Sequence, residues 1–212
     1  MKQLLLAEKI GSIRDEIMLL LKYTRAAEIT DAVKYPETYA KLTSDASVRA
    51  EKIACELRHI LYNMPDIKKA ECMPGIVDAQ GIKVTHNQRW LKITLPILLS
   101  RKGHKNSEFL TDPLFYALSE HTMIHSMPVW EQTVICFRHV YDRNLPDRHI
   151  RDYDNLEEKQ VLDVIALFTM IDDTGRLCDV FNTTAKGDSD YTEIFVMAPD
   201  DFLPWLNELE IG

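Results

Sequence analysis

The stretch RDYDNLEEKQVLDVIALFTMIDD, residues 151–173, decides both the expected fold and the expected chemistry of this chain. Asp152 and Asp154 stand two residues apart, so their side chains point the same way if the segment is extended. A helix of roughly 15 residues, about 22 Å long, is predicted after them. Asp172 and Asp173 follow that helix. They return to the first two aspartates only if the chain folds back onto a sheet beside them.

The hydrophobic pattern outside this stretch predicts an α+β fold. Apolar residues at spacings of three and four predict a helix over about 4–28 and another from a cap at 43–45 to about 62. Short segments rich in β-formers then predict strands at 76–80, 81–85, 90–95, 129–141, 177–181 and 191–197. Further helices are predicted from Asp112, from Asn155 to about Phe168, and around Trp205. We therefore expect an antiparallel helical hairpin in residues 1–70 and an α+β domain in residues 71–212, ending in a C-terminal helix.

The predicted hairpin has a consequence of its own. Two amphipathic helices cannot bury both apolar stripes against each other alone. The hairpin must therefore pack on the rest of the chain or on a partner.

Charge is unevenly distributed along the chain. Its 212 residues are 46% hydrophobic and 27% charged, which excludes collagen-like, fibrous and disordered classes. The net charge of −8 argues against a protein that coats nucleic acid by charge alone. However, residues 152–212 hold 15 acidic and 3 basic residues, a net of −12, and the preceding residues carry +4. Basic stretches at 83–105 and 138–151 suit phosphate binding beside a metal, but solvated surfaces explain them as well.

The cysteines and the apolar runs indicate a soluble protein in a reducing compartment. The four cysteines lie far apart with no C-x-x-C pair, and the N-terminal residues do not form a signal peptide. No apolar run approaches the roughly 18 residues that span a bilayer. We expect a cytoplasmic location and no membrane partner.

Convergence of the aspartates would require compensation of their charge. Carboxylates brought together either bind a hard divalent cation or shift their pKa values, and Mg²⁺ held by aspartates serves phosphodiester chemistry. Lys159 would orient the nucleophile or offset charge. The same residues also permit a purely structural interpretation: Asp154 or Asn155 as a helix cap, Lys159 with Asp163 as an ion pair, and residues 172–175 as a turn.

The ordered set Asp152-Tyr153-Asp154-Asn155, Lys159, Leu162-Asp163 and Asp172-Asp173 resembles the signature of RusA-type Holliday junction resolvases. The resemblance covers roughly residues 88–198 and includes the strand around Ile93-Thr94-Leu95-Pro96. It departs at the lysine, because the family has it where this chain has Glu158. Residues 1 to about 70 have no counterpart in the short family members and would supply dimerisation or docking of a protein partner.

This resemblance implies that residues 71–212 form a mixed sheet flanked by helices. It also implies a Mg²⁺-dependent endonuclease that cuts branched DNA as a homodimer. Asp152, Asp154 and Asp173 would bind Mg²⁺, with Asp172 as a substitute and Lys159 as a further catalytic residue. The basic loops would contact the DNA backbone through Arg101, Lys102, Lys105, Arg143, Arg148 and Arg151. The implied setting is DNA recombination and repair, nucleoid-associated and encoded by a prophage or mobile element. The alternative is an inactive RusA-fold accessory protein that binds DNA or a protein through the hairpin and the basic loops.

A pair of histidines, His121 and His125, stands at i and i+4 on a predicted helix. Such a pair can chelate zinc. Without the glutamate of an H-E-x-x-H motif or a nearby cysteine, a surface or packing role is favoured.

Overall fold

The computed structural model describes residues 2–64, 67–99, 108–147 and 150–211. They form two compact units, Met1–Glu71 and Cys72–Gly212. The predicted fold class is confirmed, because N-terminal helices precede a mixed five-stranded sheet with further helices. No helix within these described ranges is both long and apolar enough to cross a membrane.

The first unit is an antiparallel hairpin of α1 (Lys2–Glu28) and α2 (Pro36–Tyr62). Asp31 closes the turn between them, since its Oδ1 accepts hydrogen bonds from the backbone N–H groups of Val33 (2.9 Å) and Lys34 (3.0 Å). Pro36 suits the first turn of α2 because that turn needs no N–H donor there. The predicted cap at Thr43 lies inside α2, where the Thr43 hydroxyl donates to the carbonyl of Tyr39 at 2.9 Å.

The two helices meet along a narrow line of contact. Ile13 and Ala27 of α1 are buried, as are Ala46 and Ile53 of α2. Beside that line Glu16 of α1 pairs with Arg49 and, at 2.7 Å, with Lys52 of α2. The hydrogen bond from Lys52, reinforced by the one from Arg49, lowers the pKa of Glu16.

The second unit is built on a sheet with strand order β1-β2-β5-β3-β4. The strands are β1 (Lys83–His86), β2 (Trp90–Leu95), β3 (Thr133–Asp142), β4 (Cys178–Gly187) and β5 (Tyr191–Met197). Only the β3–β4 pair is parallel among these pairings. The helices are α3 (Lys69–Gln80), α4 (Glu108–Ile124), α5 (Lys159–Thr169) and α6 (Pro199–Ile211).

Both faces of this sheet are covered, by different helices. One face packs Ile93, Phe137 and Ile194 with residues of α3, α4 and α5 such as Val77, Leu118 and Ile165. The other face packs Cys136, Phe195 and Met197 against Trp205 of α6. The central strand β5 is buried from Thr192 to Met197 because it faces both layers.

Two predicted elements differ in the structure. Residues 76–80, predicted as a strand, belong to α3, where Met73 and Val77 are buried four residues apart and Gly81, with φ of +70°, follows the helix. The helix predicted from Asn155 begins at Lys159, after a short 3-10 turn, Tyr153–Asn155, and extended backbone at Leu156.

Candidate functional site

The predicted aspartates lie on both sides of α5 along the chain. Asp152 directly precedes the 3-10 turn and Asp154 lies within it, and both are exposed. Asp173 follows the end of α5 and is half-buried. Asp172 accepts a hydrogen bond from the backbone N–H of Thr174 at 3.3 Å, as in the predicted turn. In the part of the chain that the structure describes, no group of three or more His, Cys, Asp or Glu is arranged to hold a metal ion. The Mg²⁺ site stays a prediction that this arrangement does not favour.

Lys159 is engaged in an ion pair along its own helix. Its Nζ lies 2.9 Å from Asp163 Oδ1 and 3.9 Å from Asp173 Oδ2. The hydrogen bond to Asp163 raises the pKa of Lys159. The structural interpretation of Lys159 and Asp163 as an i,i+4 pair therefore describes what is present.

The neighbouring Glu158, rather than Lys159, turns toward the sheet and joins a buried polar cluster. His139 on β3 is fully buried, and its Nε2 lies 3.2 Å from Asn182 Oδ1 and 3.5 Å from Glu158 Oε1. Asn182 on β4 donates to Glu158 Oε2 at 3.3 Å. The cluster thus connects the parallel strand pair to the start of α5.

The 3-10 turn lies over this cluster. The Tyr153 hydroxyl lies 2.8 Å from Thr184 Oγ1 on β4, and the Tyr153 ring centre is 5.7 Å from that of His139. Next to the turn, Arg151 is held by the carbonyl of Leu99, which accepts from Nη1 at 2.7 Å. Asp152 therefore lies between two anchored residues, Arg151 and Tyr153.

The chemistry of the cluster is that of a polar anchor inside an apolar layer. Among the residues that the structure describes, buried His139 Nδ1 and Glu158 Oε1 have no hydrogen-bond partner. Leaving a buried polar group without a hydrogen bond costs free energy of folding. The few hydrogen bonds that His139, Asn182 and Glu158 do make therefore restrict the conformations of these side chains strongly. Sequence analysis missed His139, although the alternation of Ile135 and Phe137 along the strand places residue 139 on the same buried face.

The basic residues assigned to DNA contact are held within the fold or lie outside the described residues. Arg143 donates to the carbonyl of Gly187 and pairs with Asp188, both at 3.2 Å. Arg151 binds the carbonyl of Leu99, as described above. The other four residues of that prediction, Arg101, Lys102, Lys105 and Arg148, lie outside the described residues.

The hairpin presents a second candidate surface. Large apolar side chains are exposed on α1 and α2, and one group of them forms what we call the apolar side: Leu6, Ile10, Ile17, Leu21, Tyr39, Ala50 and Leu57. Along α2, residues 39, 43, 46, 50, 54, 57 and 61 share one stripe and include no charged residue.

Helix geometry places these residues on one side of the hairpin. A step of four residues rotates a helix position by about +40°, and a step of three by about −60°. Ile17 and Leu57 each follow a buried contact residue, Ile13 or Ile53, by four. In an antiparallel pair this offset has the same sense in both helices, so both residues emerge on the same side. Glu16 follows Ile13 by three and lies on the opposite side with its ion pairs.

Comparisons with known proteins assign a family but no activity. A family profile described as a family of unknown function (DUF6100) matches residues 2–211. A search of curated proteins finds no match. Among solved structures, the periplasmic domain of Helicobacter pylori MotB is 11% identical with a TM-score of 0.34, covering 61% of this chain and 87% of that one. The cell wall anchor of the type VI secretion system (T6SS) from Pseudomonas aeruginosa is 16% identical with a TM-score of 0.35, covering 62% and 97%. Likeness at these scores carries no argument about function.

These comparisons overturn the resemblance to RusA-type resolvases. The profile that matches residues 2–211 is that of DUF6100 and not that of the resolvases. The predictions of a junction endonuclease, of an inactive RusA-fold accessory protein, and of a role in DNA recombination and repair are wrong. The predicted DNA cleavage, in which Asp152, Asp154, Asp173 and Lys159 were to act, is withdrawn as well. A short motif of aspartates and a lysine misled because turns and helix starts use the same residue types.

Proposed function

Since the chain belongs to this family of unknown function (DUF6100), we propose from the geometry of the first unit that the protein is an assembly protein. Its α1–α2 hairpin pairs with the hairpin of a second copy and forms a homodimer. The apolar side of the hairpin is the observation that carries the proposal.

The composition of the apolar side supports a protein partner. Ile10 and Ile17 are each close to half exposed, at 47% and 46%, and Leu57 is 44% exposed. Such side chains, aligned over several turns of two helices, form a contiguous patch of the kind that marks an interaction site. The small side chains of Ala50 and Ala54 let another helix approach α2 closely.

The dimensions of the apolar side suit a two-fold dimer. Each helix has 27 residues and is about 40 Å long, and two packed helices present a side roughly 20 Å wide. A self-complementary contact over such a side buries on the order of 800 Å² per copy, which is the size of a standard stable interface. Pairing two hairpins in this way gives a four-helix bundle, the arrangement that buries the second stripe of each helix.

A charge placed on the apolar side tests the proposal. We expect Ile17→Asp to raise the dimer dissociation constant by roughly 100-fold or more. The reason is that each dimer would bury two unpaired carboxylates, one from each copy. The matched control is Met18→Asp. Met18 is 61% exposed and, five residues after Ile13, points away from both α2 and the apolar side.

Size-exclusion chromatography with light scattering over a range of protein concentrations measures both variants. The wild-type chain and Met18→Asp should be dimers where Ile17→Asp is a monomer. A wild-type chain that is monomeric at every concentration, or two variants with equal effects, would refute the dimer. Circular dichroism checks that both variants keep their helices.

We also propose a reducing compartment such as the cytoplasm for this protein. Cys55, Cys136 and Cys178 are free thiols, which supports a setting where disulfides do not form. Burial raises the pKa of Cys136 to about 12, so that thiol stays protonated and inert. The nucleoid association expected from the sequence has no support once the DNA assignment is withdrawn.

A further inference from the structure

Three of the seven histidines of the chain meet at one edge of the second unit. His86 ends the edge strand β1, and His121 and His125 lie at the end of α4. His86 Nδ1 is 2.9 Å from His121 Nε2. The ring centres of all three imidazoles lie 4.6–5.0 Å apart.

The distances identify a site that sequence alone gave only in part. His121 and His125 are one helical turn apart, so they face the same direction. The third imidazole comes from a strand 35 residues earlier in the chain. Packing alone would explain the pair His121 and His125. With His86 beside them, the three residues together offer three imidazole nitrogens as candidate ligands.

We propose that His86, His121 and His125 bind a divalent transition-metal ion, Zn²⁺ in particular. Imidazole nitrogen is a preferred ligand of Zn²⁺, with bonds of about 2.0–2.1 Å in tetrahedral geometry. Ligand nitrogens in such a tetrahedron lie about 3.3 Å apart. The His86–His121 separation therefore has to widen by only a few tenths of an ångström.

Binding requires the imidazoles to turn, because no group of three within the described ranges is already arranged around a metal position. His86 and His125 are exposed, and rotation about the second side-chain torsion of histidine is soft.

The bound ion would clip two elements together. β1 is the edge strand of the sheet. His121 lies in the last turn of α4, and His125 directly follows its last residue, Ile124. A metal at this position stabilises the folded second unit by linkage, since it binds the folded state better than the unfolded chain. This site is independent of the proposed dimer, which rests on the other unit.

Metal titration of the untagged full-length protein tests the site. After treatment with a chelator, calorimetry with Zn²⁺ should show one site per chain, and Co²⁺ should give the visible absorption of a tetrahedral complex. Added Zn²⁺ should raise the melting temperature of the second unit. His86→Gln and His125→Gln should each weaken binding by at least about tenfold, as even outer-shell changes commonly do.

His59→Gln is the matched control. His59 is exposed on α2 and belongs to no such cluster, so its replacement should leave binding unchanged. Absence of Zn²⁺ binding by the wild-type chain would overturn the site. Binding that survives in both His86→Gln and His125→Gln, or that is lost in His59→Gln, would overturn it as well. Because His86 and His125 are exposed, their variants should fold, which circular dichroism verifies.

Discussion

Pro113 shows how a single residue is accommodated by a distant one. It lies inside α4, where it lacks the N–H that would bond to the carbonyl of Phe109. Gln80, at the end of α3, supplies the missing donor, since its Nε2 lies 3.0 Å from that carbonyl. The side-chain amide replaces one helix hydrogen bond and connects α3 to α4.

A double-mutant cycle tests this replacement. Gln80→Met keeps the length of the side chain and removes the donor, and we expect it to cost about 1 kcal/mol of unfolding free energy. In the Pro113→Ala background the cost should fall below about 0.5 kcal/mol, because the added backbone N–H bonds to the Phe109 carbonyl instead. Urea denaturation of the four proteins measures the coupling. Equal costs in both backgrounds would contradict it.

At the scale of elements, a buried carboxylate joins three strands of the sheet. Glu193 on β5 is almost fully buried, its side chain 8% exposed. It pairs with Lys92 on β2 at 2.6 Å and with Arg138 on β3 at 2.9 Å. Removing its charge leaves two partly buried cations facing each other without compensation.

Replacement of Glu193 should therefore weaken the sheet more than replacement of an exposed partner. We expect Glu193→Gln to lower the unfolding free energy by about 1–2 kcal/mol. This is less than the loss expected for a fully buried ion pair, because both cations reach solvent. Asp188→Asn is the matched control: Asp188 pairs with Arg143 but is 93% exposed, so its loss should cost less than about 0.5 kcal/mol. Guanidinium unfolding followed by tryptophan fluorescence compares them. A control that costs as much as Glu193→Gln would show that burial is irrelevant here.

At the scale of the whole molecule, the two units differ in how they are stabilised. The second unit has two apolar layers around its sheet. Within the described residues, the hairpin buries Ile13, Ala27, Ala46 and Ile53. A pair of helices with so small a core is marginal in water, so the proposed dimer would supply much of the stability of this unit.

We expect unfolding in two phases that different probes separate. Trp90, Trp130 and Trp205 all belong to the second unit, so tryptophan fluorescence reports on it, whereas far-UV circular dichroism also follows the hairpin. The circular dichroism transition should begin at lower temperature and shift upward with protein concentration, while the fluorescence transition should not. Ile17→Asp should remove the concentration dependence. Coincident, concentration-independent transitions would contradict separate stabilisation of the units.

Local patterns in the sequence were sufficient for most elements. Spacings of three and four in α1 and α2 report burial of one helix stripe, and runs of β-branched and aromatic residues in β2 and β5 indicate strands. Both signals depend on neighbouring residues, and they therefore predicted the hairpin, the α+β class and the C-terminal helix. The same reasoning failed at residues 76–80, where a short apolar run suits a buried strand as well as the buried turn of a helix.

The sites depended on tertiary structure, because their residues are distant in sequence. The sequence alone determined an α+β chain with an amphipathic hairpin and an aspartate-rich segment before a helix. Only the fold decided that His139 would meet Glu158 and Asn182, that His86 would reach His121, and that the aspartates would stay at the surface. Sequence spacing determines which side chains share a face of one element. Which faces of two elements come together is decided by the packing of the whole core, and that packing is not encoded in any single motif.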